Sequence, residues 1–302
     1  MKTTNCKNKR LFIFAAYDKY SLVDDALLYY LRALSKLGDI VFTMDNNVAS
    51  SELHKVKKIP NILKAMAHRH GEYDFGSYKR GYQFAISNNI LKNYDFIYFV
   101  NDSVYGPTFD LEPILTEMEL KNTAGAFGMI GVQNTESKQY SHPDHVQSWF
   151  IGIDTKICTQ QWFSDFIHSV SHQESKDQVV WKYEIGLSRL LNSHDIFIDK
   201  VEKEIVGFEI YRHPIKSIPF IKKLSIENIR DMKHVLSTVP TELRYAMICS
   251  IKRLKLYGKT FQSIWKVKIF KRLTILSLKK HKKRNKYILT IFKIIPITFQ
   301  RY

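Results

Sequence analysis

Only three of the 302 residues are cysteine (Cys6, Cys158 and Cys249), scattered and without a CxxC pair. That excludes a disulfide scaffold and a cysteine-rich zinc module and points to a reducing compartment. Glycine and proline are sparse, at 12 and 8 residues, which argues against a loop-dominated or fibrous chain. Long hydrophobic runs are missing as well. Residues 1–10 are polar, the apolar run over 11–16 is too short for a signal-peptide core or a membrane helix, and the run over 287–299 is broken by Lys293 and Pro296. The expectation is a chain with no targeting or spanning segment. The most informative absence is that of acid. The last carboxylate is Glu242; residues 243–302 hold 17 Lys and Arg and no Asp or Glu, whereas residues 1–242 hold 29 of each sign. The formal net charge of +17 therefore belongs to the final 60 residues, and the body before them is neutral.

What is present is ordinary globular material: 45% hydrophobic and 25% charged residues, enough for one large domain or two modest ones. Periodicity predicts strands over 11–17, 39–44, 65–68, 96–100, 127–132 and 148–153. It predicts helices over 22–37, 49–63 (interrupted by Pro60), 78–91, 111–119, 161–170 and 179–191. Such alternation argues for an α/β fold with a mostly parallel sheet, whose chemistry lies in loops at the carboxyl ends of the strands. The loss of acids sets a division into a body over 1–242 and a basic extension over 243–302.

Several familiar signatures fail. GxGxxG and GxSxG are absent, and the glycines of Gly71-Glu-Tyr-Asp-Phe-Gly76 are followed by Ser77-Tyr78 where a phosphate loop needs Lys-Ser/Thr. His168 and His172 have zincin spacing, but Ser169 stands in place of the glutamate, so the pair reads as a helix surface.

Four clusters remain. The apolar 96–100 delivers Asn101-Asp-Ser-Val-Tyr-Gly-Pro107 at a strand end, where a lone Asp102 suits a divalent metal and where the same residues also suit a simple turn. Asp74, Ser77, Lys79 and Arg80 fall at a strand-to-helix junction, either offering backbone N–H groups and cations to an anion or capping a helix with a solvated basic face. His145, Gln147 and Ser148 lead into a strand. Glu184, beside Trp181 and Tyr183, is either a carboxylate raised toward the general-base range by apolar surroundings or a structural acid.

In order along the chain, Asp74-Phe-Gly-Ser-Tyr-Lys-Arg-Gly81, Asn101-Asp-Ser-Val-Tyr-Gly-Pro107, His145-x-Gln-Ser-x-Phe150, Tyr183-Glu-Ile-Gly-Leu-Ser188 and Pro219-Phe-Ile-Lys222 resemble the rhamnan synthesis protein F family of polysaccharide glycosyltransferases. Tyr17-Asp18, Leu22-Val-Asp-Asp25 and Leu28-Tyr-Tyr-Leu31 fit it too, so the resemblance covers residues 11–225. It implies a GT-A-like, Rossmann-type fold and transfer of a sugar, rhamnose or another deoxyhexose, from a nucleotide-sugar donor to a cell-surface polysaccharide or lipopolysaccharide acceptor, a glycan or lipid-linked glycan. It implies Asp102 as ligand of a divalent cation (Mg2+ or Mn2+), with Asn101 and Ser103 beside it, and Asp18, Asp74, Lys79 and Arg80 near the donor. Glu184 would be the base, and His145 and Gln147 would line the acceptor side. Asn-Asp-Ser departs from the usual metal-binding acid pair in offering one carboxylate instead of two. A reading of another class is a non-catalytic subunit that binds a glycan or nucleotide sugar.

In the extension, Phe261, Ile264, Trp265, Ile269, Leu273 and Leu276 fall at helical spacing among lysines, followed by Lys279-Lys-His-Lys-Lys-Arg284. This predicts a basic amphipathic helix suited to an anionic membrane surface, and with it a cytoplasmic enzyme held peripherally at the inner face of the membrane. A partner-binding helix and a solvated tail are the other readings. Nucleic acid is not expected as a partner, since no recognition module accompanies the charge.

Overall fold

The computed structural model describes residues 8–121, 125–132, 143–202, 216–229 and 232–254. For 227, 228 and the strand segments 261–269, 273–281, 286–291 and 295–300 it describes the backbone alone. The chain forms two compact units, Met1–Met247 and Ile248–Tyr302.

In the first unit the strands are β1 (Arg10–Ala16), β2 (Asp39–Met44), β3 (Ile62–Ala67), β4 (Phe96–Asn101), β5 (Val104–Tyr105), β6 (Ala126–Val132), β7 (His145–Val146), β8 (Phe150–Asp154), β9 (Ile198–Glu202) and β10 (Ile221–Lys222). The helices that matter below are α1 (Asp25–Ser35), α2 (Ser50–Lys57), α3 (Tyr73–Ser87), α4 (Glu112–Lys121), α5 (Thr155–Cys158), α6 (Gln161–His168), α7 (Lys176–Val179) and α8 (Ile185–Ser193). The main sheet runs β3-β2-β1-β4-β8-β6-β7, with β9 beside β6. Pairs β3–β2, β2–β1, β1–β4 and β6–β9 are parallel, and β8 is antiparallel to both β4 and β6. This is the α/β fold with a mostly parallel sheet that the strand–helix alternation implies, with β7 and β8 as its antiparallel members.

Every residue of β1 is buried, and its period-2 alternation sorts them into two cores. Phe12 and Phe14 join Leu27, Leu31 and Leu34 of α1 on one face; Leu11, Ile13 and Ala15 join Tyr78 and Tyr82 of α3 and Phe163 of α6 on the other. Helix α1 starts at Asp24, whose carboxylate accepts from the Leu27 N–H (2.9 Å). Gly81 lets α3 lie close on the sheet, because a Cβ there would stand 2.5 Å from Ile13 Cγ2.

Strand order reverses at the β1–β4 boundary. Strands β2 and β3 build outward on one side, and the chain then returns to place β4 on the other. A crevice at the carboxyl ends of strands is the expected ligand position at such a switch point.

Three expectations need correction. Helix α3 begins at Tyr73 rather than 78, which puts Asp74 in its first turn. The helix read over 49–63 ends at Lys57, because Pro60 and the extended conformation it imposes on its predecessor cannot continue it. The C-terminal helix is a four-stranded antiparallel meander: β11 (Phe261–Ile269), β12 (Leu273–His281), β13 (Lys286–Ile291) and β14 (Ile295–Gln300), paired in that order. The helical spacing over 261–276 competes with strict alternation in Trp265-Lys-Val-Lys-Ile269 and with a run of β-branched residues, and the alternation prevails. Pro296 is accommodated because β14 is an edge strand.

Candidate active site

A pocket of about 120 Å³ opens in the first unit, lined by Tyr73 and Asp74 of α3, Asn101 and Ser103 at the end of β4, Gln147 to Trp149 before β8, Lys176 of α7, Glu184 and Lys222. Strand β4 delivers Asn101, whose Nδ2 donates to Asp74 Oδ2 (2.9 Å) while its Oδ1 accepts from the Ser103 N–H (3.0 Å). One amide side chain thus ties the strand end, the following turn and the first turn of α3 together. Burial, and then the neighbouring Asp102 carboxylate, push Asp74 up from the usual carboxylate range to about 6.

Glu184 enters from a π-helical turn, Val180–Glu184, set between α7 and α8. Single π-helical turns of this kind occur frequently at functional sites. Its carboxylate accepts from the Ser148 N–H (2.8 Å) and the Ser148 hydroxyl, and His145 Nε2 stands 3.4 Å away. Burial alone would push Glu184 up, but the His145 and Ser148 hydrogen bonds outweigh it and hold the carboxyl below its ordinary range. The raised pKa expected for Glu184 is therefore corrected: the apolar aromatics lie beside it, while three donors face it. Asp74 is the carboxyl poised near neutrality.

Lys222 arrives on β10, which pairs antiparallel with β5 in the register Lys222↔Val104. Its Nζ donates to Ser103 Oγ (3.4 Å) and lies 4.7 Å from the centre of the Trp149 ring. Burial pushes Lys222 down to about 7, although Glu184 and Asp74 oppose that fall.

Of the residues expected at the site, the fold brings Asp74, Asn101, Ser103, Gln147 and Glu184 together around this pocket. His145 stands behind Glu184, with Nδ1 against the Pro143 carbonyl (2.8 Å). Asp18 follows β1 as expected, but its carboxylate accepts from the N–H groups of Tyr20 (2.8 Å) and Leu22 (3.2 Å), and it is not a lining residue. Lys79 and Arg80 are not brought to the pocket either. Both neutralise Glu72, at 2.9 and 2.8 Å, and Lys79 also donates to the Val170 carbonyl, since their positions on α3 point back to the loop before it.

Asp102 does not stand as a metal ligand would. Its carboxylate is salt-bridged to Lys223 at 3.3 Å, and among the described residues no three His, Cys, Asp or Glu side chains converge to hold a metal ion. Glu184 already spends its oxygens on Ser148 and His145. The donor set does not fit a resident divalent cation.

The model of the family described as rhamnan synthesis protein F matches residues 40–265, three quarters of the chain. The chain belongs to that family. Comparison with curated proteins gives no match. Among solved structures, core-mannan synthase A from Aspergillus fumigatus in its Mn/GDP form is similar at 11% identity and a TM-score of 0.34, over 56% of this chain and 65% of that one. The mannosyltransferase Ktr4p from S. cerevisiae in complex with GDP is similar at 8% identity and a TM-score of 0.37, over 62% and 66%. The chain spans slightly less than two thirds of the length of these structures, and likeness at that level carries no argument about chemistry.

In this member of the family, sequence reasoning missed Lys176 and Lys222 as lining residues, and gave no role to Ser148 and Trp149, which lie within the cluster that begins at His145. For Lys222 a signal was at hand, since it closes one of the five motifs, Pro219-Phe-Ile-Lys222. Its partner strand β5, only two residues long, gave no periodicity from which to place it.

Proposed function

We propose that this chain is a glycosyltransferase that moves a sugar from a nucleotide-sugar donor to a hydroxyl of a glycan acceptor. The observation that carries the reading is the pocket at the carboxyl end of β4, where Asp74, raised to about 6, and Lys222, lowered to about 7, line one cavity in a chain of the rhamnan synthesis protein F family. The acceptor oxygen bonds to the anomeric carbon, the bond from that carbon to the diphosphate oxygen breaks, and the acceptor proton passes to the Asp74 carboxylate. Glu184, held by Ser148 and His145, keeps a fixed negative charge that orients a sugar hydroxyl, with Gln147 beside it on the acceptor side. Rhamnose, the sugar in the family's description, is the first donor sugar to try, and a cell-surface polysaccharide or lipopolysaccharide the acceptor class.

A panel of nucleotide sugars tested by thermal shift checks the reading. At about 100 times its Kd the correct donor stabilises the fold by about 2.7 kcal/mol, on the order of 5–10 °C for a domain of this size. A flat panel, together with no donor turnover, would sink it.

The basic extension supports a second expectation, attachment to an anionic membrane surface at the inner face of the cell membrane. No helix among the described residues is long and apolar enough to cross a bilayer. Residues 243–302 nevertheless carry 17 cations and no acid, and each cation near an anionic surface contributes about 1 kcal/mol. The full chain should sediment with anionic vesicles and be released by salt. Equal recovery with neutral and anionic vesicles would overturn the attachment.

A further inference from the structure

The acid that resemblance would assign to a metal already has a cation. Lys223 Nζ stands 3.3 Å from Asp102, with side-chain exposures of 22% and 15%, so a divalent ion there would have to displace an ammonium from a partly buried pair. Burial pushes Lys223 down, but Asp102, Tyr105 and Asp24 more than compensate and hold it above the ordinary lysine range. The charge that a metal would bring to this edge of the sheet is built into the chain.

The next residue back, Lys222, extends that charge into the pocket. It is placed by backbone pairing and not by a loop: β10 pairs with β5, and the Lys223 N–H donates to the Ser103 carbonyl (2.9 Å). The side chain is seated between Ser103 Oγ and the indole face of Trp149, which is itself pinned by its Nε1–H donating to Gln147 Oε1 (2.8 Å). Lys176, at the start of α7, lines the same pocket. Two ammonium groups thus face one small cavity with two carboxylates, Asp74 and Glu184, and a neutral polar lining of Tyr73, Asn101, Ser103, Gln147 and Ser148.

We propose that Lys222 and Lys176 bind the donor's diphosphate and neutralise it as it departs, in place of a divalent metal ion. This rests on the reading of the chain as a glycosyltransferase. Developing negative charge on the leaving diphosphate is stabilised by positioned cations whatever their nature, and an ammonium already fixed over an indole needs no reorganisation to act. The arrangement also separates roles within the Lys222-Lys223 pair: Lys223 is committed to Asp102 and fixes the turn after β4, while Lys222 faces the ligand.

The test is calorimetric titration of the full chain with GDP, UDP, dTDP and inorganic pyrophosphate, in EDTA and again in Mn2+ or Mg2+. The expected result is that at least one nucleoside diphosphate binds equally well in EDTA and that pyrophosphate competes with it. Lys222→Met should weaken that binding by about tenfold or more, the usual value of a charge-assisted hydrogen bond, while Lys222→Arg retains most of it. Lys176→Met, at an exposed position, should weaken binding by less. Melting temperatures of the variants separate lost binding from lost folding, and the EDTA arm needs no variant. Binding that appears only with added metal, or that is unchanged in both lysine variants, would overturn the proposal and leave the glycosyltransferase reading standing. If no nucleoside diphosphate binds under either condition, that reading falls as well.

Discussion

Asp74→Asn should lower the rate of sugar transfer by about 10²–10⁴-fold, the usual contribution of a positioned general base, and should leave the protein as stable or more so. The two halves of that expectation have one cause. Asp74 is held at about 6 because its surroundings, burial first and Asp102 second, disfavour the carboxylate. For an acid whose folded value lies above its unfolded one, ionisation favours the unfolded chain, so the group costs stability as pH rises from the ordinary 3.8 to about 6, and the full cost is present above that. An asparagine keeps the shape, can still accept from Asn101 Nδ2, and removes the charge. The same carboxylate is useful as a base for the reason that makes it a cost. The wild-type kcat/KM should climb with pH through about 6 as Asp74 loses its proton. It should fall above about 7 as Lys222, lowered by burial against the opposing pull of Glu184 and Asp74 and with Lys176 adding to the fall, loses its own. A nucleotide sugar is the right substrate for this profile, since it lacks the terminal phosphate proton that titrates near about pH 6. The acid limb should vanish in Asp74→Asn and persist in Glu184→Gln, because Glu184 is ionised well below it. Full activity in Asp74→Asn, or an acid limb that follows Glu184 instead, would return the base to Glu184.

The contrast between those two carboxylates marks where reading the sequence stops. Strands β1, β2 and β4 were legible because each is a compact apolar run between turn residues, and β2 was read at its observed bounds. Asn101, Asp102 and Ser103 were legible as strand-end residues for the same reason. Which carboxyl would be raised was not legible, because it depends on Ser148 and His145, 36 and 39 residues before Glu184 in sequence, meeting it in space. Lys79 and Arg80 fell to a similar cause: adjacent cations at a helix start suggest an anion site until Glu72 is seen to take both. Strand β9, Ile-Asp-Lys-Val-Glu, alternates too weakly to declare itself and is specified by its parallel pairing with β6. In the C-terminal unit two periods coexist in one segment, and pairing with a neighbouring strand decided for the shorter.

The residue most misjudged from sequence carries the largest expected effect on stability. Arg10 closes what reads as a polar N-terminal stretch, yet it is the first residue of β1 and its side chain is fully buried. Its guanidinium meets Glu119 of α4 in a two-point pair, Nε to Oε1 at 2.6 Å and Nη2 to Oε2 at 2.8 Å, and Nη1 reaches Glu112 at 2.9 Å. Tyr98 of β4 donates its hydroxyl to Glu119 from the core side. The Glu119 side chain is 1% exposed, so each charge has exchanged water for the other. Breaking such a pair from one side leaves an uncompensated buried charge, and Glu119→Ala should therefore cost about 3–5 kcal/mol, on the order of 10 °C in Tm for a domain of this size. Removing the whole network tests whether the pair or the packing is responsible. In Arg10→Met/Glu119→Leu/Tyr98→Phe the buried pair and the Tyr98 hydroxyl are gone, Thr116 keeps Glu112 as its acceptor, and the half-buried Asn8 and Glu112, the latter 25% exposed, can turn to water. That triple variant should recover most of the loss, because a buried ion pair contributes little net stability over apolar groups of similar volume. Thermal denaturation of the two variants beside the wild type decides it. A loss below about 1 kcal/mol in Glu119→Ala, the range of an exposed pair, would mean that water reaches the guanidinium and that α4 is not anchored to β1 through this contact.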